Sequence, residues 1–537
     1  MEWPILRLKK DYTITDQVIE VSHLRPFSLF FELKFCLKRQ KSYLSTKYLK
    51  MKRACFLLVA MLAAVIGLSA EITLPSIISD NMVLQQKTQA KLWGWGEPGE
   101  KIEIRTSWGK KVYSAQADAD GKWSVYVKTP GHCTGQWMKI SSGRTGETVE
   151  ISNVLVGEVW MASGQSNMEF EMMPHTKDKW MTGMYNWEAE AADADYQNIH
   201  LFKVEESWNY TAPQENCKGK WVVCTPEVAK TYSAIAFLFA RELHQKLQQP
   251  VGIILCAFGG THAESWIRDE IMRKDSIYNR VYKSYSPEIT TPKGYQHKVP
   301  AAIWNAMVNP ILGYTIKGNI WYQAESNAWR SEDYVPIFID LVNDWRMLWG
   351  QKRLPFYYMQ VAPFAELSGK IRLEQAKVWD KKMLEDIGMA TVIDAGDSLD
   401  IHPKNKVTPA HRLTLWALAK EYGHKVECSG PQFKEMKAIN GKLEISFHYS
   451  KGLYAGNLLP DNSIVTAPTS STTAVKYLHI AGTDGVYYPA YSTIENDKLI
   501  VWHPAVAAPA HVKYCTEAYC KGSLYNAAGL PAYPFAR

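Results

Sequence analysis

The sequence predicts an α/β protein in which a parallel-sheet domain lies between two small all-β domains. Three observations predict this. Between about residues 155 and 425, apolar runs of strand length end in Gly-rich turns and alternate with helical patterns, as strands buried in a parallel sheet do. The segments on either side show period-two alternation. Finally, 537 residues with 46% hydrophobic and 12% aromatic side chains exclude disorder and supply three or four domains of about 150 residues each.

Taken in chain order, residues 1–50 read as an extension ahead of the true start, because the features of a secretory signal begin at Met51. Lys52 and Arg53 give a positive start, Cys55 to Leu68 an apolar run of 14 residues, and Ser69-Ala70 a small-residue exit, so residues 51–70 are expected to be a cleaved leader. The run is shorter than the roughly 20 residues of a membrane span, and no other stretch approaches that length. Charge follows the same division. The net +7 invites a nucleic-acid partner, but residues 1–70 carry 12 basic against 5 acidic groups, which leaves 49 of each in 71–537. With the basic excess goes the argument for nucleic acid. The expected product is exported, periplasmic or extracellular.

Residues 71–155 are expected to form an N-terminal β domain, with alternation at Ile102 to Ile104 and at Trp123 to Val127 after the turn signal Asp120-Gly121. Residues 156–425 hold the α/β domain. Its expected strands are Val154 to Met161, Val251 to Leu255, Ile316 to Tyr322 and Ala390 to Ile393, and its expected helices are Ala234 to Leu247 and Tyr334 to Trp349. The Met- and Trp-rich stretch Met172 to Tyr196 reads as a helical insertion over the site. Residues 426–537 return to strands, with Leu443, Ile445, Phe447 and Tyr449 alternating and then Leu499 and Val501. Seven cysteines remain beyond the leader, too few and too scattered for a disulfide scaffold, although Cys217/Cys224 and Cys515/Cys520 are close enough to pair. No Cys-x-x-Cys or His-x-x-x-His spacing calls for a metal, and no cofactor is expected.

Chemistry concentrates at the expected strand ends. In Ala162-Ser163-Gly164-Gln165-Ser166-Asn167-Met168, a strand runs into a Gly turn and a possible helix start, which would expose the Ser166 hydroxyl beside backbone N–H groups. An acyl-transfer nucleophile needs that arrangement; a Ser that only caps a helix fits the same local sequence. His402, in Asp394-Ala395-Gly396-Asp397-Ser398-Leu399-Asp400-Ile401-His402-Pro403, is the best-placed base because nearby carboxylates could fix its tautomer. The same three aspartates could instead hold Ca²⁺. Two further turns, Gly259-Gly260-Thr261-His262-Ala263-Glu264 and Trp321-Tyr322-Gln323-Ala324-Glu325-Ser326-Asn327, could bring backbone and amide donors to a substrate.

With these motifs in place, the sequence resembles the sialate O-acetylesterase-like carbohydrate esterases of the SGNH hydrolase superfamily. The resemblance covers nearly all of 71–537, from Ser79-Asp80-Asn81-Met82-Val83-Leu84-Gln85 through Gly164 to Met168, Gly259 to Thr261, Trp321 to Asn327, Asp344-Trp345-Arg346 and Asp400 to Lys406, to Leu524-Tyr525-Asn526. It implies an SGNH-like parallel sheet and a serine esterase that removes O-acetyl groups from sugars, sialic acids first among them. It further implies Ser166 as nucleophile, His402 as base, and oxyanion donors from the Ser166 N–H, Gly260 and the turn from Gln323 to Asn327. Many members carry the acid three residues before the His, where this chain has Leu399, so Asp400, Asp397 or Glu325 must serve. Ala324 stands where relatives usually show Gly. An acetylxylan or other polysaccharide deacetylase of the same superfamily, and a carbohydrate-binding protein without catalysis, are the competing functions.

Overall fold

The computed structural model describes residues 72–175, 182–274, 296–351, 353–468 and 470–537. The expected extension 1–50 and the expected leader 51–70 lie outside the described residues, as does the middle of the stretch Met172 to Tyr196. No helix among the described residues is long and apolar enough to cross a membrane.

Alternation builds the first strands: β1 (Val83–Gln85), β2 (Gln89–Trp95), β3 (Lys101–Thr106), β4 (Tyr113–Gln116), β5 (Lys122–Lys128) and β6 (Cys133–Ser142). Along β3 the side chains of Ile102 and Ile104 are buried while Lys101 and Arg105 face water. The turn before β5 is closed by Asp118 Oδ1, which accepts the N–H groups of Asp120 and Lys122 at 2.9 Å. β2 pairs antiparallel with β5, and β3 with β4 and β6.

β7 (Thr148–Gly164) carries the chain onward. Its first half pairs antiparallel with β6, and its last eleven residues, Val154 to Gly164, are all buried. A strand covered on both faces needs no alternation, which is why this run reads as continuously apolar. One strand therefore crosses residue 155 without a break.

The central sheet adds β8 (Tyr196–Lys203), β9 (Trp221–Cys224), β10 (Val251–Ala257), β11 (Gly318–Tyr322), β12 (Phe356–Met359) and β13 (Ile387–Ala390), in the order β13-β12-β11-β7-β10-β8-β9. All neighbours on this path are parallel except β9, which is antiparallel to β8. Helices cover both faces. Trp160, Ala162, Ile253 and Leu255 pack in one core with α2 (Ala234–Leu247) and α5 (Val407–Glu421), whereas Val159, Met161, Ile254 and Trp321 pack in another with α3 (Tyr334–Leu348) and α4 (Lys370–Asp380); α1 (Ser166–Glu169) directly follows β7. The sheet grows from β7 in one direction through β10 and β8 and in the other through β11, β12 and β13. The crevice for a ligand thus opens at the carboxyl end of β7.

The C-terminal residues form antiparallel sheets. One joins Gln432–Ile439, Lys442–His448, Lys498–Trp502 and Tyr491–Glu495, and a second joins Tyr487–Pro489, Leu478–Ala481, His511–Tyr514 and Phe535–Ala536. Leu443, Ile445, Leu499 and Val501 fill their common core.

Two details differ from the sequence reading. The strand expected at Ala390 to Ile393 lies three residues earlier, at Ile387–Ala390. Val392 packs in the core with α2 and α5, while Ile393 belongs to the C-terminal core and its carbonyl accepts Gly522 N–H at 3.0 Å. In the stretch Met172 to Tyr196 the described helix is short, Trp187–Ala192, and Tyr185 N–H ties the segment to Lys404 O at 3.0 Å.

Candidate active site

The site is built on a turn that requires glycine. Gly164 has φ +136°, and a Cβ there would stand 2.1 Å from the carbonyl oxygen of Tyr322 on neighbouring β11. The turn lets Gln165 N–H donate to Tyr322 O at 3.0 Å and starts α1 with Ser166 as its first residue. The capping alternative for Ser166 does not hold, because Gln165 occupies the N-cap and Ser166 Oγ meets His402 Nε2 at 2.8 Å. Both side chains are nearly buried. The Ser166 amide, first in α1, has no carbonyl four residues back inside the helix to bond.

His402 sits on the loop after β13. Asp400 Oδ1 accepts the backbone N–H of His402 at 2.8 Å and stands 3.6 Å from Nδ1. Asp397 Oδ1 accepts Leu399 N–H at 2.8 Å. Asp394 lies deeper, wholly buried, with Arg412 donating to its two oxygens at 2.6 and 2.8 Å and Tyr525 OH adding a third bond at 3.1 Å. The three aspartates therefore do not converge on a Ca²⁺ position: one is neutralised by arginine and the others hold the loop backbone.

Glu325 is buried beneath this loop. Its Oε1 accepts Asn167 Nδ2 at 2.6 Å, and the same amide nitrogen donates to Ile401 O at 3.1 Å. Asn167 Oδ1 in turn accepts Lys406 Nζ at 2.7 Å. Lys406 is 1% exposed, and its Nζ also lies 4.0 Å from the centre of the Phe170 ring. Burial pulls the Lys406 ammonium down to about 7, against the opposing pull of Glu325 and Asp400. Burial likewise raises the Glu325 carboxyl, with its hydrogen bonds and Lys406 opposing the rise. Asn167, one residue past Ser166, thus fastens the nucleophile's helix to the base's loop.

Gln323 and Asn327 are both completely buried. Gln323 Nε2 lies within hydrogen-bond distance of three acceptors, Gln165 Oε1 and Thr261 O at 3.1 Å and Asn327 Oδ1 at 2.7 Å, so its two hydrogens are already taken. Asn327 Oδ1 also accepts Ala263 N–H at 3.0 Å, and its Nδ2 donates to Glu264 Oε2 at 3.0 Å. This differs from the oxyanion role that the resemblance implies for them: the two amides brace the turns after β10 and β11 from behind. Arg330 closes the cluster by pairing with Glu264.

Gly260 lies beyond the carboxyl end of β10, beside β7, with φ +69°. The turn is anchored to the nucleophile's helix, since Gly259 N–H donates to Glu169 Oε2 at 2.6 Å. Burial raises the Glu169 carboxyl well above the usual range, and the hydrogen bond that it donates to Glu206 when protonated adds to the rise. Sequence reasoning gave no role to Asn167, Lys406 or Glu169. Nothing local marks Lys406 or Glu169 as buried, because that depends on which loops fold over them.

A family model for carbohydrate esterases, sialic acid-specific acetylesterase, matches residues 156–408. Over 413 residues the chain is 30% identical to the sialate O-acetylesterase of Homo sapiens, a match covering 70% of this chain and 76% of that one. Over 490 residues it is 28% identical to the sialate O-acetylesterase of Pongo abelii, covering 81% and 91% of the two chains. Among solved structures, a carbohydrate acetylesterase from Xanthomonas citri superposes with a TM-score of 0.73 at 29% identity, over 87% of this chain and 99% of that one.

Proposed function

The chain belongs to the sialic acid-specific acetylesterase family of carbohydrate esterases, and on that premise we propose that it is a serine esterase removing O-acetyl groups from sialic acids. The observation that carries the reading is the contact between Ser166 Oγ and His402 Nε2, 2.8 Å, at the carboxyl end of β7. In the first step Oγ attacks the acetyl carbonyl carbon while Nε2 takes the hydroxyl proton. Negative charge moves to the carbonyl oxygen, where the backbone N–H groups of Ser166 and Gly260 are the donors. Collapse breaks the bond to the sugar oxygen, which leaves as an alcohol with the proton from His402. Water, deprotonated by the same imidazole, then releases acetate from the acetyl-serine. Asp400, 3.6 Å from Nδ1, stabilises the imidazolium that forms in each half.

Export is part of the reading. The positive start at Lys52-Arg53, the apolar run and the Ser69-Ala70 exit support cleavage after Ala70 and a periplasmic or extracellular enzyme.

Purified chain beginning at Glu71 tests the function when offered O-acetylated sialic acids and acetylated xylan side by side. Release of acetate from the sialic acids at the higher kcat/KM is the expected result. Preference for xylan would move the substrate to a plant polysaccharide, and release from neither, with binding retained, would make the chain a carbohydrate-binding protein.

A further inference from the structure

An aromatic shelf borders the nucleophile's turn. Phe258, the first residue after β10, donates its N–H to Gly164 O at 3.0 Å, two residues before Ser166. The His297 ring stacks on Phe258 with centroids 4.8 Å apart and planes 16° from parallel. Its Nε2 lies 3.6 Å from where a Cβ on Gly260 would be, so the stack lies directly over the oxyanion turn. On another side Trp208 approaches Phe258 at 6.3 Å.

Trp208 is one of two exposed tryptophans among the described residues of this domain, the other being Trp329 beyond the turn after β11. Trp160, Trp266, Trp304, Trp321, Trp345 and Trp416 are fully buried, whereas Trp208 is 46% exposed. Nearly half of that indole is left in water, yet the loop that carries it is pinned on both sides. Glu205 N–H donates to Lys218 O at 3.0 Å and Asn209 N–H to Ala302 O at 2.9 Å. Asn305 Nδ2 adds a bond to Asn209 O at 2.8 Å. At the rim stands Glu206, an exposed acceptor that also bonds Glu169.

A water-facing indole set at 52° to a stacked Phe258–His297 pair, with a carboxylate acceptor at the edge, suits a pyranose, whose C–H face is apolar and whose hydroxyls are donors. We propose that Trp208, Phe258 and His297 form the subsite that seats the sugar ring of the acetylated substrate beside Ser166, with Glu206 accepting from its hydroxyls. This rests on the esterase reading given above. The subsite makes the enzyme selective for acetyl groups on sugars over acetyl esters of small alcohols.

The test compares kcat and KM for an O-acetylated sialic acid with those for ethyl acetate, which carries the acetyl group and no ring. In Trp208→Ala, the ratio of kcat/KM for the sugar ester to that for ethyl acetate should fall about tenfold, chiefly through KM for the sugar. Trp208→Phe, which keeps a flat ring, should recover most of the ratio. Trp137→Ala, at an exposed tryptophan on β6 of the N-terminal strands, should leave the ratio as in wild type. A Trp208→Ala ratio equal to that of wild type, or the same loss in Trp137→Ala, overturns the subsite. Wild-type enzyme that cleaves ethyl acetate but no acetylated sugar overturns instead the reading on which the subsite rests, and the subsite with it.

Discussion

Two carboxylates compete to orient His402, and Asp400 lies in ion-pair range of its ring. Asp400 Oδ1 is 3.6 Å from Nδ1, whereas the Glu325 oxygen that bonds is occupied by Asn167 at 2.6 Å. Asp400→Asn should therefore lower kcat by up to about 10⁴, as removal of an orienting carboxylate does, and Glu325→Gln should cost less. Rates of the two variants on one acetyl ester decide it, and the reverse ranking would transfer the role to Glu325. Lys406 makes a prediction with a sign. Its pKa near 7 in the folded chain lies below the ordinary 10.5. Between those values the unfolded chain binds more protons, so the cost of burying the ammonium stands in full below about pH 7 and is relieved as pH rises toward 10.5. Lys406→Met removes that cost. Its melting temperature relative to wild type should be highest below pH 7 and should decline toward pH 10, while kcat falls by about tenfold as Asn167 loses its partner. Ser166 and His402 were legible in the sequence because each sits in a short, distinctive run. Lys406 was not, since two separate segments, one carrying Asn167 and Phe170 and the other Glu325, meet around it only in the folded chain.

Two turns at adjacent strand ends adopt backbone conformations that favour glycine, and only one of them has it. Gly164 at φ +136° closes β7 against Tyr322 O, and Gly164→Ala would force a Cβ to 2.1 Å from that oxygen. Loss of soluble folded protein, or of esterase activity in whatever folds, is expected, with circular dichroism and acetate release as the measurements. Ala324, at φ +145° and ψ −10°, starts the turn after β11 in a region costly for any residue with a Cβ. Such strain costs about 1–3 kcal/mol, and the extra freedom of glycine in the unfolded chain offsets roughly 0.5–1 kcal/mol of the gain. Ala324→Gly should therefore stabilise the protein by about 1 kcal/mol in denaturant unfolding. The methyl group that the sequence marks as a departure is thus a matter of backbone strain in the braced turn. Long amphipathic helices were the most legible elements: Ala234–Leu247 lies where its pattern puts it, and Tyr334–Leu348 ends one residue early. β12 escaped notice because Phe-Tyr-Tyr-Met, buried on both faces, has no period to read. α4 and α5 were missed too, since Arg372, Gln375, Arg412 and Thr414 put buried polar groups into their inward faces and blur the stripe.

At the scale of the molecule, the parallel sheet with β-rich segments before and after it was legible in the change from alternating to continuous apolar runs. The exception is the junction near residue 155, which β7 crosses as one strand paired to β6 at one end and to β10 and β11 at the other. A strand shared in this way predicts that the N-terminal strands and the central sheet unfold together. Calorimetry of a chain beginning at Glu71 should show no separate early transition from residues 71–155, whereas a resolved low-temperature peak would show that they melt independently. The proposed leader makes its own prediction, that exported protein begins at Glu71, and mass spectrometry finding any residue before Met51 would contradict it. The central claim, that one serine at the switch point of this sheet does the chemistry, is tested most directly by labelling with a serine-directed fluorophosphonate and mapping the adduct by peptide mass spectrometry. A single adduct on Ser166, lost together with acetate release in His402→Ala, is the predicted result; an adduct on another serine, or full esterase activity after Ser166 is labelled, would contradict it.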